Sequence, residues 1–511
     1  MSTPTEAPKE YDTAYAYRTL FLFAGLVITI LYVEGMLTPS LPTIAAEFAV
    51  SPAQVSLVLA LYSVSGTALN PIVGKLGDVY GKKKILTYVL LIYAAAVTVT
   101  GFSPTFEFML ASRTVQGIGL AIFPLVFSLV REEFPRDMVP KAQGIISGMF
   151  GVGFAVSLPL GALISNDFGW RTTYHTAVPF VLIGTGMIIW KVKESHYIRP
   201  NQKIDFIGAA ILGASLVMFV LALAEGPSWG WTSFSTLGLL AGSLVILPPL
   251  FLFERWYSSK GTEAILNLRL LSIRNVLASN VLILVASLGM FLAFQAYVYK
   301  FELFSPIGFH LDIFNTGLSL FPLAVAFIIF APLTGIIVSR TGIKRVAAVG
   351  AILSALGFYY TTWATTYYQY LGGMFVAGAG LSILQSSVIN LLTLTVELRD
   401  MGLATSLNTV FRNLGASLGA PIAGSILSTY TAVVVVSQGG RTFPASLPTL
   451  AAFQYVFYLA VVVFVAMLVI IPLAREVLGK SAIMESTEMK PAEREARASQ
   501  MTSNPTADRA P

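Results

Sequence analysis

Long apolar stretches separated by short polar connections run along nearly the whole chain. They fall at residues 19–41, 54–74, 85–103, 108–130, 142–165, 174–191, 206–224, 234–253, 276–299, 314–338, 346–365, 370–394, 403–428 and 453–474. Each has roughly 18–25 residues, the length an α-helix needs to cross a ~30 Å hydrocarbon layer at about 1.5 Å per residue. The pattern predicts an all-α polytopic membrane protein with fourteen transmembrane helices. The segment before the first stretch is polar and carries both charge signs, unlike a cleaved signal peptide.

Composition agrees and excludes other classes. Of 511 residues, 55% are hydrophobic and 11% charged, where a soluble protein carries about 25% charged residues. Mean hydropathy is +0.75, so much of the apolar surface must face lipid. Cysteine is absent, which removes disulfides, thiolate metal sites and cysteine nucleophiles. The three histidines, His175, His196 and His310, have no paired-ligand spacing.

The pI of about 9.2 would suggest nucleic acid in a soluble protein, but the position of the cations says otherwise. With both termini placed in the cytoplasm, every lysine and arginine falls on a cytoplasmic segment except Arg113, Arg171, Lys300, Arg412 and Arg441. That is the positive-inside pattern of a multi-pass plasma-membrane protein. No nucleic-acid partner is expected.

The chain also repeats itself. Gly74–Lys84 (GKLGDVYGKKK) aligns with Gly335–Arg345 (GIIVSRTGIKR), matching Gly74 to Gly335 and Gly81 to Gly342. At the same offset Gly117-x-Gly119 meets Gly378-x-Gly380, and nearby Arg136-Asp137-Met138 meets Arg399-Asp400-Met401. This indicates a duplicated six-helix unit. The expected plan is a six-helix bundle at 1–191, connecting segments with two inserted helices at 192–275 (helices at 206–253), a second bundle at 276–475, and a disordered cytoplasmic tail at 476–511.

Gly74–Lys84 resembles the signature Gly-x-Leu-x-Asp-x-x-Gly-Arg-Lys-Lys of the major facilitator superfamily, with Gly74, Leu76, Asp78, Gly81, Lys83 and Lys84 in place and Lys82 for Arg. The glycines read as allowing a tight turn, and Asp78 as capping a helix or pairing with a cation. The resemblance implies a cytoplasmic gate built on Gly74, Asp78, Gly81 and Lys83, with a degenerate copy at Gly335, Arg340 and Gly342 in which Ser339 takes the aspartate position.

Arg113-Thr-Val-Gln116-Gly117-Ile-Gly119-Leu-Ala121 resembles the fourth-span motif of drug:proton antiporters. Later segments are similar to the fourteen-span branch of that family: Lys203-Ile-Asp205-Phe-Ile-Gly208, Trp229-Gly230-Trp231, Gly317-Leu-Ser-Leu-Phe-Pro322 and Asn408-Thr-Val-Phe-Arg412-Asn-Leu-Gly415-Ala-Ser-Leu-Gly419. The resemblance implies two six-helix bundles plus two inserted helices in the major facilitator fold. It further implies alternating access driven by a proton gradient, without a bound cofactor. Two places depart from the family. The fifth span reads Ser157-Leu158-Pro159-Leu-Gly161, with its proline one position late, and the first-span acid is Glu34 where the family aspartate would align with Val33.

Glu34 is the only acidic residue well inside any span. It lies about 24 Å up its helix from Arg18, and Arg113 about 9 Å below Glu107 from the other side, so the two could meet. Charged groups within a membrane are costly and tend to face a cavity or a partner. Glu34 and Arg113 are therefore the proton-coupling candidates, with a static ordering pair as the alternative. Tyr32, Asn70, Gln116, Gln295, Tyr299, Gln385, Asn390, Asn408 and Arg412 are candidates for a substrate cavity or, alternatively, for helix packing. Gly117, Pro159, Gly161, Gly415 and Gly419 are expected at close helix contacts or kinks.

Nucleotide-binding and hydrolase motifs are absent, so no enzyme is expected. The reading is a monomeric, proton-coupled exporter of amphipathic drugs or other small organic molecules. A proton symporter for a nutrient and a non-transporting scaffold or receptor are the alternatives.

Overall fold

The computed structural model describes residues 13–135, 138–194, 205–259, 268–305, 307–396, 401–438 and 441–476, with some side chains inside helices left undescribed. It is almost entirely helical. Helix α1 (Thr13–Gly35) continues through a 3-10 turn (Thr38–Ser40) into α2 (Leu41–Glu47). A short α3 (Pro52–Val55) leads into α4 (Leu57–Tyr80), followed by α5 (Lys82–Thr100). Helices α6 (Phe106–Gln116) and α7 (Ile122–Glu133) form one rod, broken by a 3-10 turn at Gly117–Ala121. Next come α8 (Val139–Phe168) and α9 (Trp170–Lys191), then α10 (Phe206–Trp229) and α11 (Phe234–Ser259).

After α12 (Leu268–Leu271), the long α13 (Arg274–Glu302) starts a second series. It continues with α14 (Ile313–Ser319), α15 (Phe321–Thr341), α16 (Ile343–Thr362), α17 (Tyr367–Thr395), α18 (Met401–Thr429) and α19 (Leu450–Ile470). Eleven helical segments among the described residues are long and apolar enough to cross a membrane. Three other expected spans coincide with the helices α8, α11 and α18.

The first and last described residues, Thr13 and Glu476, lie at one end of the helices, here called the terminal end; the opposite end is the distal end. In the first series α1 packs on α8 and α9, and α4 on α5, α6 and the Gly117–Ala121 turn. In the second, α13 packs on α17, α18 and α19, and α16 on α17 and α19. The two series meet through α4 with α18, and through α8 with α14 and α15.

Close approach in this packing depends on small residues. A Cβ on Gly419 would lie 2.5 Å from Leu288 O and 2.8 Å from Leu292 N, and Gly415 abuts the α13 backbone at Leu284 and Leu288. Gly117 lies against Tyr62 O and Ser65, and Gly161 against Met36. Pro159 sits inside α8.

Helices α10 and α11 pack on each other, and α10 also contacts both α4 and α18. Gln54 Nε2 donates to Glu225 Oε1 at 3.1 Å, tying α10 to the first series. Trp231 Nε1 donates to Thr429 Oγ1 at 3.3 Å, tying the α10–α11 connection to the second. The inserted pair thus spans the seam between the two series.

Three expectations change. Gly74 and Gly335 are not turn residues: α4 and α15 run on past them to Tyr80 and Thr341, and neither glycine has a neighbour within reach of a Cβ. Only Gly81 (φ 102°) and Gly342 (φ 91°) make the turns, in a backbone region that side chains disfavour. The connection 429–452 contains an antiparallel hairpin, β1 (Thr431–Gln438) with β2 (Arg441–Pro448), paired from Thr431↔Pro448 to Gln438↔Arg441. Its physical cause is the β-branched run Val433–Val436 followed by the dipeptide Gly439-Gly440. Finally, Glu476 is part of the folded structure; the rest of the expected tail lies outside the described residues.

Candidate functional site

A narrow cavity lies between the two series. Its walls are Glu34, Thr38, Leu59, Tyr62 and Ser63 from α1, the following turn and α4, and Met290, Phe291 and Phe294 from α13. Glu34 is 8% exposed, and its Oε2 is buried without a hydrogen-bond partner. Two cations act on it electrostatically, Arg412 of α18 more strongly and Arg113 of α6 less. The acid and both intramembrane arginines therefore belong to one cluster, assembled from both series.

Arg113 does not reach Glu34 by a direct bond. It is fully buried; its Nε donates to Val58 O at 3.1 Å and its NH1 to Gln116 Oε1 at 2.8 Å. Its guanidinium carbon stands 4.6 Å from the centre of the Tyr62 ring, a cation–π geometry. The hydroxyls of Tyr93 and Tyr174 are buried within its electrostatic reach. The Gly117–Ala121 turn matters here, because Gly117 lets the α6–α7 rod lie against Tyr62 O and so brings Arg113 beside α4.

Other candidates divide by location. Gln385 Nε2 donates weakly to Met290 Sδ at 3.7 Å, which places it beside the cavity. Gln295 and Tyr299 are buried on α13 with side-chain polar atoms unbonded, and both amide atoms of Asn70 on α4 are likewise buried and unbonded. The remaining three make helix contacts: Asn408 Nδ2 donates to Asn280 Oδ1 at 3.2 Å, Tyr32 Oη meets Thr176 Oγ1 at 3.4 Å, and Asn390 bonds Ser386 O. Tyr62, Met290, Phe291 and Phe294 were not singled out from the sequence. Aromatic and methionine side chains are common throughout the spans, so nothing local marked them.

The cavity has room for about one water molecule, whereas drug-sized ligands occupy roughly 300–1,000 Å³. This conformation is closed around the site. Closure is visible at the distal end. Ala53 N donates to Ser428 Oγ at 3.0 Å, Gly424 lies against Pro52 O, and Gly317 lies against Leu158 and Ala162. All three contacts join one series to the other.

At the terminal end, Asp78 pairs with a cation. Lys82 Nζ contacts Asp78 Oδ1 at 2.7 Å and Glu132 Oε1 at 2.8 Å, with the Lys82 side chain 4% exposed. Helix capping belongs to another residue. Glu194, just beyond α9, accepts from Lys83 N at 2.9 Å and Lys84 N at 3.0 Å, its carboxylate packed on Gly81. The second series repeats the device: Glu476, beyond α19, accepts from Ile343 N at 2.7 Å and packs on Gly342. A carboxylate there meets the partial positive charge of the helix N-terminus. Each is placed by a neighbour. Lys193 N donates to Tyr15 Oη at 2.9 Å, and the Asn275 amide bonds the Arg475 backbone. The side chains of Ser339 and Arg340 lie outside the described residues, as do Arg136-Asp137 and Arg399-Asp400.

Comparison with known proteins follows the same lines. The family model for the Major Facilitator Superfamily matches residues 22–420 and, overlapping, 323–503. Multidrug resistance protein 3 of Bacillus subtilis is 28% identical over 428 residues, covering 81% of this chain and 80% of that protein. The tetracenomycin C resistance and export protein of Streptomyces glaucescens is 26% identical over 385 residues, covering 73% and 67%. An uncharacterized MFS-type transporter of Mycobacterium tuberculosis is 27% identical over 423 residues, and the match spans 80% of this chain but 59% of that longer protein. Crystal structures of the human organic anion transporter MFSD10 (TM-score 0.57, 15% identity, 89% of this chain and 99% of that one) and of the nucleoside transporter NupG (0.58, 13%, 89% and 100%) share the fold. This multi-pass membrane chain belongs to the Major Facilitator Superfamily of transporters.

Proposed function

We propose that the protein is a proton-coupled antiporter that exports amphipathic organic molecules by alternating access. In this reading it has fourteen spans, both termini in the cytoplasm and the distal end facing outward. The observation that carries it is Glu34: a buried carboxyl whose Oε2 has no hydrogen-bond partner, in a cavity wall shared by both series, with Arg412 and Arg113 acting on it. A carboxyl held this way can exchange its proton when the cations move relative to it. Because Arg412 belongs to the second series and Glu34 to the first, rocking the series changes that distance. Substrate binding and proton release can thereby share one cavity. Phe291, Phe294, Tyr62 and Met290 offer an adaptable apolar wall for flat or cationic molecules. The names of the multidrug and tetracenomycin exporters support the same substrate class.

The test is transport of lipophilic cations and aromatic antibiotics by purified protein in liposomes. An imposed pH gradient should accelerate it, and gradient-independent rates would count against coupling. The terminal-end network makes a further prediction. Asp78→Asn removes one carboxylate from buried Lys82, whereas Ser339→Ala removes no charge. Asp78→Asn should therefore lower transport more, by about tenfold if a buried charge-assisted pair of roughly 1.5–3 kcal/mol is weakened in one conformation only. Equal or reversed effects would remove the asymmetry between the two copies.

A further inference from the structure

A second set of buried, unbonded polar groups lies on α13, outside the Glu34 cluster. Phe291 lines the cavity. Beyond it, Gln295 is 1% exposed with both amide atoms unbonded, Tyr299 is 3% exposed with its hydroxyl unbonded, and Glu302 Oε1 is buried and unbonded. At 100° per residue these four positions fall within about 80° of one another, and they rise about 16 Å from the cavity to the distal end of the helix. Farther down, the same face carries Leu284 and Leu288, which pack on Gly415 and Gly419 of α18. At the distal end α13 also contacts α2 and the Thr38–Ser40 turn of the first series. The stripe therefore continues the face that packs on α18 and rises from the cavity wall at Phe291 toward the end of α13 that meets the first series.

Leaving a buried amide, hydroxyl and carboxyl oxygen unbonded costs about 1–3 kcal/mol each. Three such groups in a row, one helical turn beyond the cavity wall at Phe291, fit a path that fills with water during part of the cycle. The neighbouring charges are consistent with this. Glu302 and Tyr299 interact electrostatically, and Asp312, which caps α14 through Asn315 N, acts on Glu302. Lys300 is turned away, bonding Ile307 O and lying near the rings of Phe309, Tyr370 and Phe453. On α2, Glu47 is held by Trp170 and Arg171.

Resting on the antiport reading above, we infer that Glu302, Tyr299 and Gln295 form the proton path from the distal face to Glu34. A proton from outside binds the Glu302 carboxylate. Through intervening water, the Tyr299 hydroxyl accepts a proton as it gives up its own, and a water held by the Gln295 amide passes one proton to the Glu34 carboxylate. Only Glu34 ends the sequence changed.

Two measurements test the path. The chain has no cysteine, so Gln295→Cys, Tyr299→Cys and Glu302→Cys each present a single thiol. All three should react with 2-aminoethyl methanethiosulfonate added from the distal side, while Ala293→Cys and Ala296→Cys, on other faces of α13, should not. Equal reactivity at all five, or none at 295 and 299, overturns the path. In liposomes with ethidium as probe, Glu302→Gln should lower the ratio of transport with and without a pH gradient on the order of 100-fold, the scale of a lost proton-transfer group. If Glu34→Gln abolishes gradient-driven transport but Glu302→Gln and Tyr299→Phe leave the ratio unchanged, the path fails and the coupling reading stands. If Glu34→Gln leaves the ratio unchanged, the coupling reading fails and the path with it. If wild-type protein does not move ethidium, the thiol labelling decides the path alone.

Discussion

Glu34→Gln is expected to reduce gradient-driven transport on the order of 100-fold, to the rate seen without a gradient. The glutamine keeps the size and polarity of the side chain but cannot carry the proton. Two outcomes separate this role from a structural one. If Glu34 only ordered the bundle, the half-buried Arg412 would lose a countercharge and the protein would be destabilised by up to about 3–5 kcal/mol, visible as a lower melting temperature in detergent. If it carries the proton, stability should change little, because the carboxyl accepts no hydrogen bond at Oε2 in the folded protein. A stable variant with unimpaired gradient-driven transport would dismiss the coupling role.

The second large effect is expected from locking the distal end. Ala53 and Ser428 are joined by a hydrogen bond of 3.0 Å between the first and second series. Cysteines at both positions are close enough to form a disulfide, and the absence of native cysteine keeps the bond specific. Oxidation of the Ala53→Cys/Ser428→Cys variant should stop transport, since the halves could no longer part at that end. Reduction should restore it. Full activity in the oxidised, cross-linked protein would show that transport does not require distal opening, and alternating access as drawn here would fail.

Much of this was legible in the sequence because membranes impose long-period constraints. Apolar stretches marked the helices, and the rarity of buried charge drew attention to Glu34, Arg113 and Arg412, which the fold gathers from α1, α6 and α18. Less legible were contacts fixed by a distant partner. Glu194 and Glu476 cap helices more than a hundred residues away in the chain, and no local pattern distinguishes such a carboxylate from any loop acid. Helix rise alone allows Arg113 to meet Glu34, but its Nε and NH1 bond Val58 O and Gln116 instead, and Arg412 is the stronger influence on the acid. Motif spacing alone suggests Gly74 as a turn residue. The helix continues past it because nothing from Leu57 to Tyr80 breaks it: Pro71 lies within α4, and the chain reverses only at Gly81. The hairpin at 431–448 is hard to see in the sequence because short strands carry a weak signal beside twenty-residue apolar runs.

The most direct measurement of the central claim is made in everted membrane vesicles carrying the protein and a preformed pH gradient, acid inside. Adding a transported compound such as ethidium should dissipate part of that gradient, because each molecule moved inward across the vesicle membrane returns a proton outward. The signal should vanish in vesicles carrying Glu34→Gln. Transport of ethidium into wild-type vesicles with the gradient undisturbed, or with acidification increased, would contradict proton antiport.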